Sequence, residues 1–486
     1  METDWQGLKS GSDILGAAEG AGAALTVEAA ERIGYSFALW LAEREGKPAD
    51  QLAISVGRDA RPSGAQLASA FIHGLTAADA DVIDCGLCAA PAALWLAADG
   101  SGAADGAAMV TAGQHPSNLN GLKLLARSGG PTGDDLTAIL ECAGRTEPPV
   151  RLVTRADAMA EYQARLTDMV ARRMGTADRP LDGAAVAIEA EGVGSFFADL
   201  LAGLGARVAS PNDLGAPSLA DAVPAMGADL GVRLGGDCAR AALLDEKGAP
   251  LSGNRLIALV SAMLLAERPG LTIVTDSVTS SGLSRFIAEW GGVHYRYKRG
   301  YMNVIDEARR LVDEGIDCAL AMETGGHAAF RDNAFLDDGV YLAATLLCEA
   351  LARRRRGERL LSLLDGLREP VERAELRLPL TAPDAKGAAQ SVIESVLSHT
   401  LDNAAWHLAN DNREGVRISF DLDGGVDNGW FMIRLSLSGA VMPLTAESDV
   451  PGGVRQMLGQ LQGVLADCEG LDQSALCEYL AADPAI

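Results

Sequence analysis

Five short segments carry charged or hydrogen-bonding side chains next to glycines: GRDARPS (57–63), TAGQHPSNLNGLK (111–123), GGDCAR (235–240), ETGGH (323–327) and RLSLSG (434–439). Their chemistry suits a phosphorylated polyol. The guanidinium forks of Arg61, Arg240 and Arg434 match phosphate oxygens, and the Lys123 ammonium adds a point charge. Glu323, Thr324 and His327 can exchange hydrogen bonds with sugar hydroxyls, and Ser436 adds another donor in the last segment. Lys123 and His327 are also acid–base candidates. Asp237 is the one hard oxygen ligand in its segment; the adjacent Cys238 is soft and no substitute for it. Arg58-Asp59-x-Arg61 is equally consistent with a structural ion pair.

These segments need elements to position them. LAISVGRD (52–59) reads as a buried strand ending in charge, SGAQLASAFIHGLTAAD as a helix, DVIDCG as a strand, APAALWLAAD as a helix and GAAMVTAG as a strand. Strand–helix–strand order implies a parallel sheet with covered faces. The pattern restarts at AAVAIEAEGVGSFFADLLAGLG and again at LTIVTDSVTSSGL. The GVG (192–194) is too short for a dinucleotide site and reads as a tight strand-to-helix turn. A hairpin is expected around Lys247-Gly248, and the arginine-rich helix 349–358 reads as a solvated helix end. The tail, GVRISFDLDGGVDNGWFMIRLSLSG, alternates as two strands around a Gly/Asp/Asn turn. Three similar α/β units, 1–155, 156–268 and 269–372, followed by a different α+β unit, 373–486, are therefore expected. Ligands of open α/β sheets sit beyond the C-terminal ends of the strands, which is where the charged segments fall.

Composition narrows the classes. The chain has 486 residues, 48% hydrophobic and 22% charged, with a formal net charge of −25. That charge lacks the basic footprint of a nucleic-acid binder and makes any anion site a local feature. No stretch approaches 18 uninterrupted apolar residues, so no membrane span is expected. The N-terminus lacks a basic start and an apolar core, so no secretory signal is read there. Eight scattered cysteines fit reduced thiols in the cytoplasm, and Cys85 and Cys88, without a second pair, read as core residues.

The segments, in this order, resemble the α-D-phosphohexomutase superfamily, the phosphoglucomutase/phosphomannomutase group, from GSDILG near the start to VMPLTAESD near the end. GRDARPSG, NGLK, DEKG and ET(G)GH carry the match. The resemblance implies four domains, three of them topologically alike with mixed sheets, around a central cleft. It also implies a phosphoserine that exchanges its phosphoryl group with a hexose phosphate, and a Mg²⁺ ion held by three aspartates of a DxDxDR loop. Aligning Thr111 and Pro116 with the family's T-A-S-H-x-P places Gly113 on the phosphoserine and Gln114 on the neighbouring histidine. Gly235 and Ala239 replace two of the three aspartates, leaving Asp237. Leu15 stands for a catalytic arginine, Met302 for a Lys or Arg, and Gly325 for a serine; Gly439 and Ala440 alter the last loop. His115 and Ser117 are the remaining nucleophile candidates beside Gly113.

The expectation is a family member that binds a phosphorylated sugar without the ordinary mutase chemistry and, on that reading, without a cofactor. Lys123, Arg61 and His327 are its catalytic candidates; Glu323, Thr324, His327, Arg240, Arg434 and Ser436 its substrate contacts. Two alternatives remain: an active phosphomannomutase/phosphoglucomutase that requires Mg²⁺, and a metal-independent enzyme acting on a phosphorylated sugar. A protein partner or a homo-oligomer is compatible with each of these readings.

Overall fold

The computed structural model describes residues 4–20, 22–98, 102–142, 152–436 and 439–482. Leu437 and Ser438 of the last charged segment, and residues 143–151 of the Gly/Pro-rich stretch, lie outside them. Three sheets repeat one pattern. In the first, Ala53–Arg58 lies between Asp81–Leu87 and Gly106–Val110, all parallel, and Leu119–Ala126 returns antiparallel beside Gly106–Val110. In the second, Ala185–Glu189 lies between Arg207–Ala209 and Leu230–Leu234, and Ala241–Leu244 returns. In the third, Thr272–Asp276 lies between Val293–Tyr297 and Cys318–Met322, and Ala328–Phe330 returns. The fourth sheet is antiparallel throughout, in the order Glu372–Pro379, Val441–Ser448, Gly429–Ile433, Val416–Phe420, His407–Leu408. The expected mixed α/β architecture with a distinct tail is present.

The central parallel strands are largely apolar because helices cover both faces; Gly106–Val110, Thr272–Asp276 and Cys318–Met322 are buried throughout. Two covering helices cross the division at residue 268. Gly253–Glu267 packs on Ser281–Glu289 and on Cys318–Met322 of the third sheet. Gly339–Arg355 packs on Ala158–Met174 and on the strands Leu230–Leu234 and Ala241–Leu244 of the second. The arginine-rich end of that helix is less free than the sequence suggested. Arg354 and Arg355 donate to the carbonyls of Gly183 and Asp182, and Arg354 Nε lies 3.0 Å from Asp229.

GVG forms a single 3₁₀ turn, Gly192–Ser195, leading into the helix Phe196–Gly203. The hairpin turns at Gly248, whose φ of +81° suits glycine. Cys85 and Cys88 are buried free thiols, and burial pushes Cys85 up to about 12. Among the described residues no helix is long and apolar enough to cross a membrane.

The first cleft loop is aimed by the helix Gly64–Ala77, which follows it directly and packs on Val27–Glu45. That contact is close because it is glycine-lined. A Cβ on Gly74 would overlap the Glu31 carbonyl, and one on Gly34 the Phe71 carbonyl. Gly74→Ala is therefore expected to destabilise the protein by about 1–3 kcal/mol through overpacking. Gly459→Ala, on an exposed helical site with open space around it, should stabilise by roughly 0.5–1 kcal/mol. Urea unfolding of both variants checks the contrast.

Candidate functional site

The return of one antiparallel strand beside a parallel one forces a turn at the parallel strand's C-terminal end. In the three similar sheets these turns are 111–118, 235–240 and 323–327, which are three of the charged segments. Parts of all three, 111–113 and 115, Arg240, Glu323 and His327, meet at a cavity of about 220 Å³. Ser10, Asp13 and Leu15 from the N-terminal hairpin, Lys123, and Arg299–Tyr301 complete its lining.

The first turn is built around Arg61. Its guanidinium donates to the carbonyls of Gly113 (2.9 Å), His115 (2.7 Å), Pro116 (2.7 Å) and Leu119 (2.9 Å), and its Nε to Asp59 Oδ2 (3.2 Å). A fork so fully engaged has no donor left for a phosphate. Arg61 thus shapes the loop and, unlike the other catalytic candidates Lys123 and His327, does not line the cavity. The ion-pair reading of Arg-Asp-x-Arg holds for Asp59 and Arg61. Gly113 sits at φ +57°, and its N–H donates to Thr111 Oγ1 at 2.9 Å. A Cβ there would meet only Asp237 Oδ2, at 3.5 Å. His115 lines the cavity, whereas Ser117 lines only an adjoining recess, with Gln114 and Glu191, that Gly113 and His115 share.

Asp59 and Asp237 are both buried and both approach Thr111 Oγ1, at 2.6 and 3.4 Å. Burial pushes the Asp59 carboxyl above its ordinary range; hydrogen bonds from Thr111 and Arg61 oppose the rise. Asp237 Oδ1 accepts from Ala239 N at 3.2 Å, and Gly235 and Ala239 carry no ligand atoms. Mg²⁺ demands a near-octahedral set of oxygens. A single carboxylate already engaged with its own loop does not fit that requirement. Among the described residues the side-chain group able to surround a cation is His407, Asp421 and Asp427, exposed on the tail domain and away from the cavity.

Lys123 faces the cavity from Leu119–Ala126. Its Nζ is 3.9 Å from Asp13 Oδ2 and 4.7 Å from the Tyr301 ring centre. Burial alone would lower its pKa; the carboxylates of Asp13, Asp237 and Asp337 outweigh it and hold the ammonium above the ordinary lysine range. At neutral pH Lys123 is therefore a cation facing the cavity. Tyr301 donates to Asp13 Oδ1 at 2.7 Å and stacks on His327 at 4.7 Å. His327 Nδ1 is 2.6 Å from Asp337 Oδ2, which fixes the proton on Nδ1 in the neutral ring and leaves Nε2 as the second polar atom.

Glu323 lies at the same wall, 93% shielded from solvent. Burial and the neighbouring Asp276 push its carboxyl up to about 7, against partial relief from His327 and from Gly300 N at 2.6 Å. Thr324 Oγ1 donates to Asp276 Oδ2 at 2.6 Å and so faces its own domain. In the tail, Arg434 Nε is 3.8 Å from Glu414 Oε1 and has no hydrogen-bond partner among the described residues. Burial lowers the Arg434 pKa; Glu414 opposes this. Ser436 N donates to Val441 O at 2.9 Å. Arg434 and Ser436 do not line the cavity, but Arg299, which does, connects to Arg434 through Glu414: its N–H donates to Glu414 Oε1 at 3.0 Å.

The structure therefore brings together Lys123, Arg240, Glu323, His327 and His115. It adds Asp13, Arg299 and Tyr301, which sequence reasoning did not assign to the site. Met302, expected at a cationic position, is buried against Gly130, and Tyr301 is the helix residue that faces the cleft. The cation of this wall is Arg299. Its signal in the sequence was the strand–Lys–Arg–Gly–helix junction 293–313, whose Gly300 turns at φ +114°.

Three sheets of this kind meet at one polar cleft, and an antiparallel tail domain adjoins it through Glu414 and Arg434; this is a phosphohexomutase type of fold. A family model described as phosphoglucomutase/phosphomannomutase, alpha/beta/alpha domain I, matches residues 11–148, and the corresponding domain III model matches residues 252–370. The chain is 28% identical to a phosphoglucomutase/phosphomannomutase of Thermococcus kodakarensis over 89% of its length and 93% of that protein. It is 32% identical to a phosphoglucosamine mutase of Frankia casuarinae over 62% of its length and 68% of that protein. A solved phosphoglucomutase/phosphomannomutase family protein from Burkholderia thailandensis has the same fold, with a TM-score of 0.77, 23% identity and 96% and 98% of the two chains covered. The chain belongs to the phosphoglucomutase/phosphomannomutase family of the α-D-phosphohexomutase superfamily.

Two outcomes follow from this geometry. Arg61→Lys is expected to cost about 2–4 kcal/mol, because lysine cannot replace a fork bonded to four carbonyls and a carboxylate. Hydrogen exchange should rise in 113–119 and stay unchanged in Ala158–Met174. The folded protein holds the Glu323 proton more tightly than the unfolded chain does, so stability should fall as pH rises from the ordinary 4.5 toward about 7. Urea midpoints measured across that interval should show a shallower decline in Glu323→Gln than in the wild type.

Proposed function

We propose that this chain binds a phosphorylated hexose in the 220 Å³ cleft without passing a phosphoryl group through a phosphoserine and a bound metal ion. The observation that carries the reading is the closed loop at Gly113. The residue at the nucleophile position has no side chain, and the adjacent Thr111, Asp59, Asp237 and Arg61 bond to one another and to loop carbonyls. Lys123, Arg240 and Arg299 supply positive charge for a phosphate, while Glu323 and His327 supply an acceptor and a ring nitrogen for hydroxyls. Each of the domains assigned from the sequence, 1–155, 156–268 and 269–372, contributes to this lining, and 373–486 adjoins it through Arg434 and Glu414. Arg434, with its unpartnered Nε, is a second anchor for the phosphate where the tail domain meets the cleft.

The mutase reading rests on the relatives, which are named as mutases. The feature of this chain that favours it is His115, whose side chain lines the cavity two residues from Gly113. A histidine carrying the phosphoryl group would leave a phosphoprotein. The metal-independent reading rests on His327 and its Asp337 partner.

The test is turnover of glucose 1-phosphate and mannose 1-phosphate with Mg²⁺ and the hexose 1,6-bisphosphate, together with calorimetric binding of glucose 6-phosphate. Binding in the micromolar to millimolar range, no turnover and an unphosphorylated intact mass are expected. Lys123→Gln should weaken binding by roughly tenfold or more, the loss of a charge-assisted contact. Turnover with a phosphorylated His115 would replace this reading by the mutase one.

A further inference from the structure

A second concavity of about 490 Å³ lies in the first sheet and shares no lining residue with the cleft. Its walls are the strands Ala53–Arg58, Asp81–Leu87 and Val153–Arg155 and the helix Gly64–Ala77. The space exists because the helix presents small residues to it, Ala65, Ala68 and Ser69, and the middle strand has Gly86 there. In the pairing of the first two strands Val56 faces Asp84 and Gly57 faces Gly86, so Cys85 is an extra, bulged residue. Gly86 turns at φ +62°, and its N–H donates to Asp84 Oδ1 at 2.9 Å. Bulges are rare between parallel strands and re-aim side chains.

Three charged groups remain in the concavity. Asp84 is paired in register with Arg155 on the third strand, and Arg58 closes the other side. Neither guanidinium forms an ion pair among the described residues; Arg58 makes one long contact, 3.4 Å, to the carbonyl of Asp59. In a chain with 66 acidic and 41 basic residues, two arginines against the single carboxylate of Asp84 in one hollow leave a local excess of positive charge. One Arg fork saturates a planar carboxylate, whereas a phosphate can be shared by two guanidiniums from different directions.

The geometry points to a second ligand site here, for a phosphate monoester. Its phosphate lies between Arg58 and Arg155, and a hydroxyl donates to the Asp84 oxygen that Gly86 does not engage. Ser69 adds a donor from the helix. The site is independent of the reading given for the cleft.

Equilibrium dialysis with radiolabelled glucose 6-phosphate and, separately, inorganic phosphate tests it on the full chain. Arg58→Gln/Arg155→Gln is expected to bind one fewer glucose 6-phosphate per chain than the wild type, whether or not the cleft is occupied. Arg155→Gln alone, at an exposed position that threatens no packing, should weaken this component by about tenfold. Asp84→Asn should keep phosphate binding and lower the preference for glucose 6-phosphate over phosphate by about threefold or more. Circular dichroism and thermal melting establish that each variant is folded. Equal stoichiometry and affinity in the wild type and the folded double variant would overturn the site. A wild type that binds a single equivalent, lost in the double variant, would support it and instead remove the cleft reading.

Discussion

The site depends on one topological constraint. A strand that returns antiparallel beside a parallel strand must reverse at that strand's C-terminal end. Each of the three similar sheets makes this reversal once, between Gly106–Val110 and Leu119–Ala126, Leu230–Leu234 and Ala241–Leu244, and Cys318–Met322 and Ala328–Phe330. Three of the loops that line the cleft are therefore equivalent positions on similar scaffolds. The helices Gly253–Glu267 and Gly339–Arg355 then cover sheets across the unit division, so the second and third sheets cannot separate without exposing apolar faces. The orientation of the loops follows from burial far from them.

Charge is the second constraint. With a net charge of −25 the chain offers no general attraction for an anion. The cleft resolves this by sequestering its own acids. Asp59 is taken up by Arg61 and Thr111, Asp13 by Tyr301 and Lys123, Asp337 by His327, and Glu323 is pushed toward its neutral form. The positive charges of Arg240 and Arg299 stand in front of carboxylates whose fields are already partly cancelled. A surface ion pair would contribute little to such a balance; these groups are buried or half-buried, where a lone charge costs more and a pair is felt more strongly.

What the sequence made legible follows from the range of each interaction. Strand, helix and turn patterns are local, so the three α/β repeats, the GVG turn, the hairpin at Gly248 and the tail strands could be read directly. The identity of the loops was legible because glycine and charge cluster at strand ends. The use of individual side chains was not, since it depends on partners far away in the chain. Arg61 looked like a phosphate ligand until its four carbonyl partners, 52 to 58 residues away, were in view. Tyr301 and Asp13 are 288 residues apart, and no spacing rule reaches that distance. The covering helices crossed the expected division at 268 because amphipathic periodicity marks a face to bury without saying against which sheet.

The Gly113 loop also shows how a loop's course can be fixed independently of the side chain at its centre. Its course is fixed by donors that grip backbone carbonyls, the Arg61 fork, and by Thr111, which takes up the Gly113 N–H. None of these contacts involves the side chain at 113. Because φ is +57°, an L-residue at this point carries strain of roughly 1–3 kcal/mol that glycine does not. Removing a side chain there relaxes the backbone and leaves every gripping contact in place. Asp237 behaves in the same way, with one oxygen on Ala239 N and the other near Thr111, so its loop holds without an ion. Loop shape is set by atoms other than the side chain at 113, so the loop's course does not depend on what that position carries.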